Sequence, residues 1–180
     1  LHSTKTAQLY EGINIVILGR PNVGKSSLLN QIIQQEKAIV TEVPGTTRDP
    51  IEASILLDGV KTVFIDTAGL RDYEEAEQGT HEYIEKLGIL KAHSYAEAAS
   101  LIIYMIDISK KIDKYDIEKI IYLAAKNKKI IVVGNKSDEK KENNISGLQE
   151  VCKKNNINFQ EISALQGINI HAVIDICAKY

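Results

Sequence analysis

The sequence predicts an α/β fold: a mainly parallel six-stranded sheet with one antiparallel edge strand and helices on both faces. Two observations carry this. Residues 13–18, 101–106 and 130–133 are nearly continuous apolar runs, the pattern of strands buried on both sides rather than strands with one wet face. Segments with helical spacing alternate with such runs: Leu28, Leu29, Ile32 and Ile33; then Ile117, Ile120, Ile121 and Ala124; then Ile170, Val173, Ile174 and Cys177. Strands alternating with helices imply parallel neighbours joined by right-handed crossovers, with helices covering both faces.

Taken in order, the first strand, 13–18, ends at a glycine-bearing loop, 19–24. Residues 26–35 follow as a helix. The stretch 36–49 is polar, contains Pro44-Gly45 and reads as a long loop. Two strand-like runs, 51–57 and 62–65, are split by Asp58-Gly59, a dipeptide suited to a two-residue hairpin turn. This hairpin supplies the antiparallel edge. Strands 101–106 and 130–133 flank the helix that carries Ile117 and Ile120. A short strand at 158–162 precedes the last helix, and the polar stretch 139–144 reads as a solvated loop. Ligands of such sheets bind beyond the carboxyl ends of the strands.

A chain of 180 residues suits one domain with a substantial core. A net charge of −2 gives no basic footprint of the kind that grips nucleic acid. Cys152 and Cys177 lack partners at metal-ligand spacing and read as small packing residues in a reducing compartment. The longest apolar run has six residues, against roughly 20 for a bilayer span. Residues 1–5 show no apolar signal core. No membrane association is expected, and the cytoplasm is the expected location.

Three motifs sit in loops that follow strands. Gly19-Arg20-Pro21-Asn22-Val23-Gly24-Lys25-Ser26 fits G-x-x-x-x-G-K-[ST]. Its glycines let backbone amides close on phosphates, and the following helix turns its positive end toward them. Asn22, Val23, Gly24, Lys25, Ser26 and Ser27 are the expected phosphate contacts. Lys25 would reach the β- and γ-phosphates, and Ser26 would offer its hydroxyl to Mg²⁺. Asp66-Thr67-Ala68-Gly69 ends the second hairpin strand; there Asp66 can hold a Mg²⁺-bound water and the Gly69 amide can face a γ-phosphate. Asn135-Lys136-Ser137-Asp138 follows a buried strand. Guanine presents two adjacent donors, N1–H and a 2-amino group, which the Asp138 carboxylate can accept together. Adenine would leave that carboxylate unpaired. Asn135 would brace the loops, and the Lys136 stem would cover the ring face. In Ser163-Ala164-Leu165, the Ala164 amide is placed to meet the guanine oxygen.

These motifs, in this order, resemble the translation-factor-related GTPases that carry G-x-P-N-x-G-K-S, which implies a Ras-like P-loop GTPase fold over nearly the whole chain. A narrower resemblance follows from Ala38-Ile39-Val40-Thr41-Glu42-Val43-Pro44-Gly45-Thr46-Thr47-Arg48-Asp49, the segment from Asp66 to Arg71, and Ile84-Glu85-Lys86-Leu87-Gly88-Ile89. Together they resemble the G domain of the MnmE (TrmE) family of tRNA-modification GTPases. The Der family of ribosome-assembly GTPases shares G-R-P-N-V-G-K-S and G-T-T-R-D and remains the alternative. The MnmE resemblance implies that residues 1–12 are a lead-in, either the end of a preceding helical domain or vector-derived residues, and that 13–180 form the GTP-binding domain. It also implies a longer protein that acts with the flavoprotein MnmG on the wobble uridine of tRNA.

In Ras-like enzymes a glutamine after the D-x-x-G glycine orients the attacking water. Here that place holds Leu70, and the chain has three arginines, Arg20, Arg48 and Arg71, from which an arginine finger would have to come. The resemblance implies instead a K⁺ ion bound by Asn22 and the carbonyls of Thr41 and Val43 when two G domains dimerise. It also implies that Thr46 and Thr47 contact the nucleotide, with Thr47 on Mg²⁺ and the γ-phosphate. The expected catalytic set is Lys25, Thr47, Gly69 and Glu85, the last orienting water through a second water. About seven extra residues, near 73–79, stand before Glu85, so Glu74, Glu75 and Glu77 compete for its role. Three readings remain open: a GTPase, a GTP/GDP-binding switch with negligible turnover alone, and an ATPase.

Overall fold

Strand apolarity at consecutive positions is explained by cover on both sides. The computed structural model describes residues 12–36, 51–67, 94–139 and 145–180. Among these, six strands form one sheet: β1 (Ile13–Gly19), β2 (Ile51–Leu57), β3 (Val60–Asp66), β4 (Leu101–Asp107), β5 (Ile130–Asn135) and β6 (Asn158–Glu161). Their order is β2-β3-β1-β4-β5-β6. All neighbours are parallel except β2 and β3, as the sequence predicts. The chain leaves β1 to build β2 and β3 on one flank, then returns to lay β4 on the other. A topological switch point therefore lies beside the carboxyl end of β1.

Helices α1 (Lys25–Gln35), α2 (Lys114–Ala125), α3 (Ser146–Lys154) and α4 (Ile170–Ala178) cover the sheet. Side chains alternate along each strand. Leu101, Ile103 and Met105 of β4 pack with Leu28, Ile32, Val173 and Ile174 of α1 and α4. Ile102, Tyr104 and Ile106 pack on the other face with Ile120 of α2 and Leu148 and Cys152 of α3. Each fully buried Ile, Leu or Phe contributes about 1.5–3 kcal/mol of transfer free energy. Both cysteines are buried and unpaired, and burial pushes their thiols up, to about 11 for Cys152 and about 12 for Cys177.

The hairpin turn is as predicted: Asp58 (φ 48°) and Gly59 (φ 81°) both take positive φ, which matches the strand twist. Three details differ from the sequence reading. On α2, Leu123 is buried and Ile121 is 44% exposed, so the covered stripe runs through Ile120 and Leu123 rather than Ile121. Helix α3 has no counterpart in the sequence reading, since nine residues with two buried positions, Leu148 and Cys152, give too short a period to read. The same holds for the helical segment 94–98. Among the described residues, no helix is long and apolar enough to cross a membrane.

Phe64 of β3 is fully buried in the core face that α1 and α4 cover. Phe64→Ala is expected to cost about 3–5 kcal/mol, seen as a lower urea midpoint with an unchanged slope. A midpoint equal to that of the wild type would contradict the packing.

Candidate nucleotide site

The loop after β1 is shaped by what surrounds it. A Cβ on Gly19 (φ 149°) would stand 2.5 Å from the Met105 carbonyl oxygen of β4. Gly24 (φ 99°) starts α1 in the left-handed region, and a Cβ there would overlap the carboxamide nitrogen of Asn135. Both positions therefore require glycine. Asn22 is exposed, with a left-handed backbone (φ 61°). Lys25 is only 6% exposed, and its Nζ donates to the carbonyls of Gly19 (3.1 Å) and Arg20 (2.9 Å). No side chain caps α1 at Gly24; helix starts of this kind receive anions through their first amides and dipole.

Beside the loop, Ser26 Oγ donates to Asp66 Oδ2 at 2.6 Å. Asp66, fully buried, ends β3 in register with Ile17 of β1. Next to it, Thr67 Oγ1 donates to the Ile17 carbonyl (2.8 Å), which ties the end of β3 to β1. A hydroxyl and a carboxylate side by side are hard oxygen donors suited to Mg²⁺. Mg²⁺ is commonly held by one or two protein oxygens together with waters and substrate phosphate oxygens, and a pair of this size fits that use.

The far side of the site is organised by Asn135, 3% exposed at the end of β5. Its Nδ2 donates to the Val23 carbonyl (2.7 Å), and its Oδ1 accepts from the Ala164 amide (2.9 Å). One carboxamide thus links the loops after β1, β5 and β6, the bracing role expected from sequence. The Ala164 amide, expected to face a guanine oxygen, is engaged with Asn135. Ser163 is buried, and its Oγ accepts from the Gln166 amide (3.1 Å); Leu165 is 73% exposed. Lys136 (φ 67°) donates from Nζ to Asp107 Oδ2 at 2.6 Å. Asp138 lies exposed in the 3₁₀ turn Ser137–Glu139, which is anchored by the Ser137 amide on the Ile162 carbonyl (3.0 Å).

Sequence reasoning missed a second group of residues. Arg20 Nη1 pairs with Asp113 Oδ2 (2.7 Å) and stands 4.0 Å from Asp116 Oδ2. Tyr104 donates its hydroxyl to Asp116 Oδ1 (2.9 Å). Burial holds the Asp116 carboxyl above its ordinary value despite Tyr104 and Arg20, and burial likewise raises Tyr104. The i, i+3 spacing of Asp113 and Asp116 at a helix start was the available signal. Arg20 is thus paired with Asp113, the N-cap residue of α2. Thr41, Val43, Thr46, Thr47, Gly69 and Glu85 lie outside the described residues, as do Leu70, Arg48, Arg71, Glu74, Glu75 and Glu77.

Residues 14–136 match the family described as 50S ribosome-binding GTPase. The chain is 38% identical over 94% of its length to the tRNA modification GTPase MnmE of Alkaliphilus oremlandii, spanning 34% of that protein. It is 49% identical over 72% of its length to the MnmE of Malacoplasma penetrans, spanning 27% of it. The chain thus covers about a third of these relatives' length. Among solved structures, a single-residue variant of Aquifex aeolicus Era bound to GDP·AlF₄⁻ superposes with a TM-score of 0.69 at 30% identity, over 93% of this chain and 56% of that one.

Asn135→Ala would leave the Val23 carbonyl and the Ala164 amide without this partner. The expected destabilisation is about 1–3 kcal/mol for each group that stays buried and unpaired, measured by urea unfolding. A midpoint equal to that of the wild type would show that the three loops hold together without this link.

Proposed function

The chain belongs to the 50S ribosome-binding GTPase family, and on that premise we propose that it is the guanine-nucleotide domain of an MnmE-type tRNA-modification GTPase, hydrolysing GTP to GDP and phosphate. The observation that carries this is the convergence, at the switch point beside β1, of the phosphate loop, the Ser26–Asp66 pair and the Asn135 brace. The MnmE relatives, matched over the same segment, support the tRNA-modification assignment.

Within the site, the amides of Val23, Gly24, Lys25, Ser26 and Ser27 and the Lys25 ammonium bind and orient the phosphates. Ser26, Thr47 and, through water, Asp66 would hold Mg²⁺, whose charge offsets that on the β- and γ-phosphate oxygens when bound. In this reading the Gly69 amide and the Thr47 hydroxyl would meet the γ-phosphate. Asp138 accepts from guanine N1–H and the 2-amino group, the Lys136 stem covers the ring, and Ser163, Ala164 and Leu165 close the base side. Leu70 cannot orient water, so in this reading the loop alone binds GTP well and cleaves it slowly. Asn22 Oδ1 with the carbonyls of Thr41 and Val43 would hold K⁺, which supplies the positive charge a finger would otherwise bring. Glu85 positions the attacking water. In this reading two G domains dimerise in the transition state, and the whole protein works with MnmG on the wobble uridine of tRNA in the cytoplasm. The flanking sequence tests the choice of family: a second G domain would favour Der, and a folate-binding domain upstream would favour MnmE.

GDP is expected to bind at least about a hundredfold tighter than ADP, the discrimination typical of a site built to pair polar groups. Equal affinities in a calorimetric titration would reject the guanine assignment. Lys25→Ala should abolish measurable binding, and unchanged GDP affinity would contradict its phosphate role. Turnover should rise in KCl relative to NaCl, with AlF₄⁻ and K⁺ together producing a dimer on gel filtration. Asn22→Ala should keep GDP binding and lose the K⁺ response; a retained response removes Asn22 as a ligand. A protein that binds GTP yet shows neither K⁺ response nor dimer is better described as a switch module.

A further inference from the structure

Lys136 sits in a left-handed backbone position between β5 and the Ser137–Glu139 turn, so no regular element dictates where its side chain lies. Asp107 does. This residue ends β4 directly opposite Asn135 in the β4–β5 register, and the neighbouring Ile108 amide donates to the Asn135 carbonyl (3.0 Å). The paired strand ends therefore deliver the Asp107 carboxylate next to Lys136 by construction of the sheet.

The carboxylate is itself oriented. Its Oδ1 accepts from both the amide (3.0 Å) and the hydroxyl (2.5 Å) of Ser109, which fixes its plane. Its Oδ2 accepts from Lys136 Nζ at 2.6 Å, with the exposed Lys110 ammonium farther off at 3.9 Å. Asp107 is mostly buried. Burial by itself would raise its carboxyl, but Lys136 and the two Ser109 donors together outweigh burial and hold it below the usual carboxylate range. A charge-assisted, geometrically fixed bond of this kind is stronger than an exposed surface pair.

We propose that Asp107, oriented by Ser109, is a positioning residue for base recognition: it anchors the Lys136 ammonium so that the methylene stem is already laid along the ring face before the nucleotide arrives. This role rests on the guanine reading above. A lysine stem left to rotate must be ordered on binding, and fixing one such side chain in advance is worth up to about tenfold in affinity. Asp107 touches no base; it acts only through Lys136.

A double-mutant cycle on GDP affinity, measured by calorimetry on the intact chain, separates this role from a merely structural one. Asp107→Asn preserves shape and removes the charge; Lys136→Met keeps an apolar stem and removes the ammonium. Asp107→Asn is expected to weaken GDP binding about tenfold in the native background and less than about twofold beside Lys136→Met. Equal losses in both backgrounds, or no loss in either, would overturn the proposal. Ser109→Ala, which leaves both charges in place, should cost severalfold in the native background alone; an unchanged affinity removes Ser109 from the device. Wild-type protein that binds ADP as tightly as GDP would overturn the guanine reading, and this role with it. Wild-type preference for GDP with an additive cycle would overturn this role alone.

Discussion

The carboxamide of Asn135 stands where three loops meet, and its two polar ends engage backbone groups of the other two. Because the residue is almost wholly buried, neither bond can be exchanged for water without cost. The loops after β1 and β6 are consequently held as one object with the end of β5. The approach is close enough that Gly24 can carry no Cβ, so the glycine of the phosphate loop is partly a requirement of the base loop. This mutual fit fixes where the three loops stand relative to one another.

That fit depends in turn on strand register. Asp66 stands opposite Ile17, Asp107 opposite Asn135, and Gly19 opposite Met105. Val16, Ile17, Ile102, Ile103, Val132 and Val133 are packed on both faces, and a slip of one residue would exchange the side chains of two differently shaped, close-packed faces. The apolar interior places the carboxyl ends of β1, β3, β4 and β5 to within a residue, and the polar groups at those ends inherit that order.

Much of this is legible in the chain. Continuous apolar runs identify β1, β4 and β5, Asp58-Gly59 locates the hairpin, and motif order places Asp66 and Asn135 at strand ends and Lys25 and Ser26 at the helix start behind the first loop. Other features are not legible, for identifiable reasons. Helix α3 buries two residues, too few to set a period. Ile121 fits a helical stripe on paper, yet helix α2 is rotated so that Leu123 is covered instead. The Arg20–Asp113 and Lys136–Asp107 pairs join residues 93 and 29 positions apart; only strand order brings them together, and one sequence carries no direct record of that. The engagement of the Ala164 amide with Asn135 likewise depends on where the β6 loop settles, beyond what its short motif specifies.

The Lys25 ammonium has a further implication. It lies almost out of water and is satisfied by carbonyl oxygens of its own loop. Those carbonyls act as an internal surrogate for an anion. An anion arriving here would meet an ammonium already solvated by backbone rather than a bare cationic hole. The same two bonds draw the first turn of α1 toward the end of β1, and the curvature of the loop is written into the contacts of its own lysine.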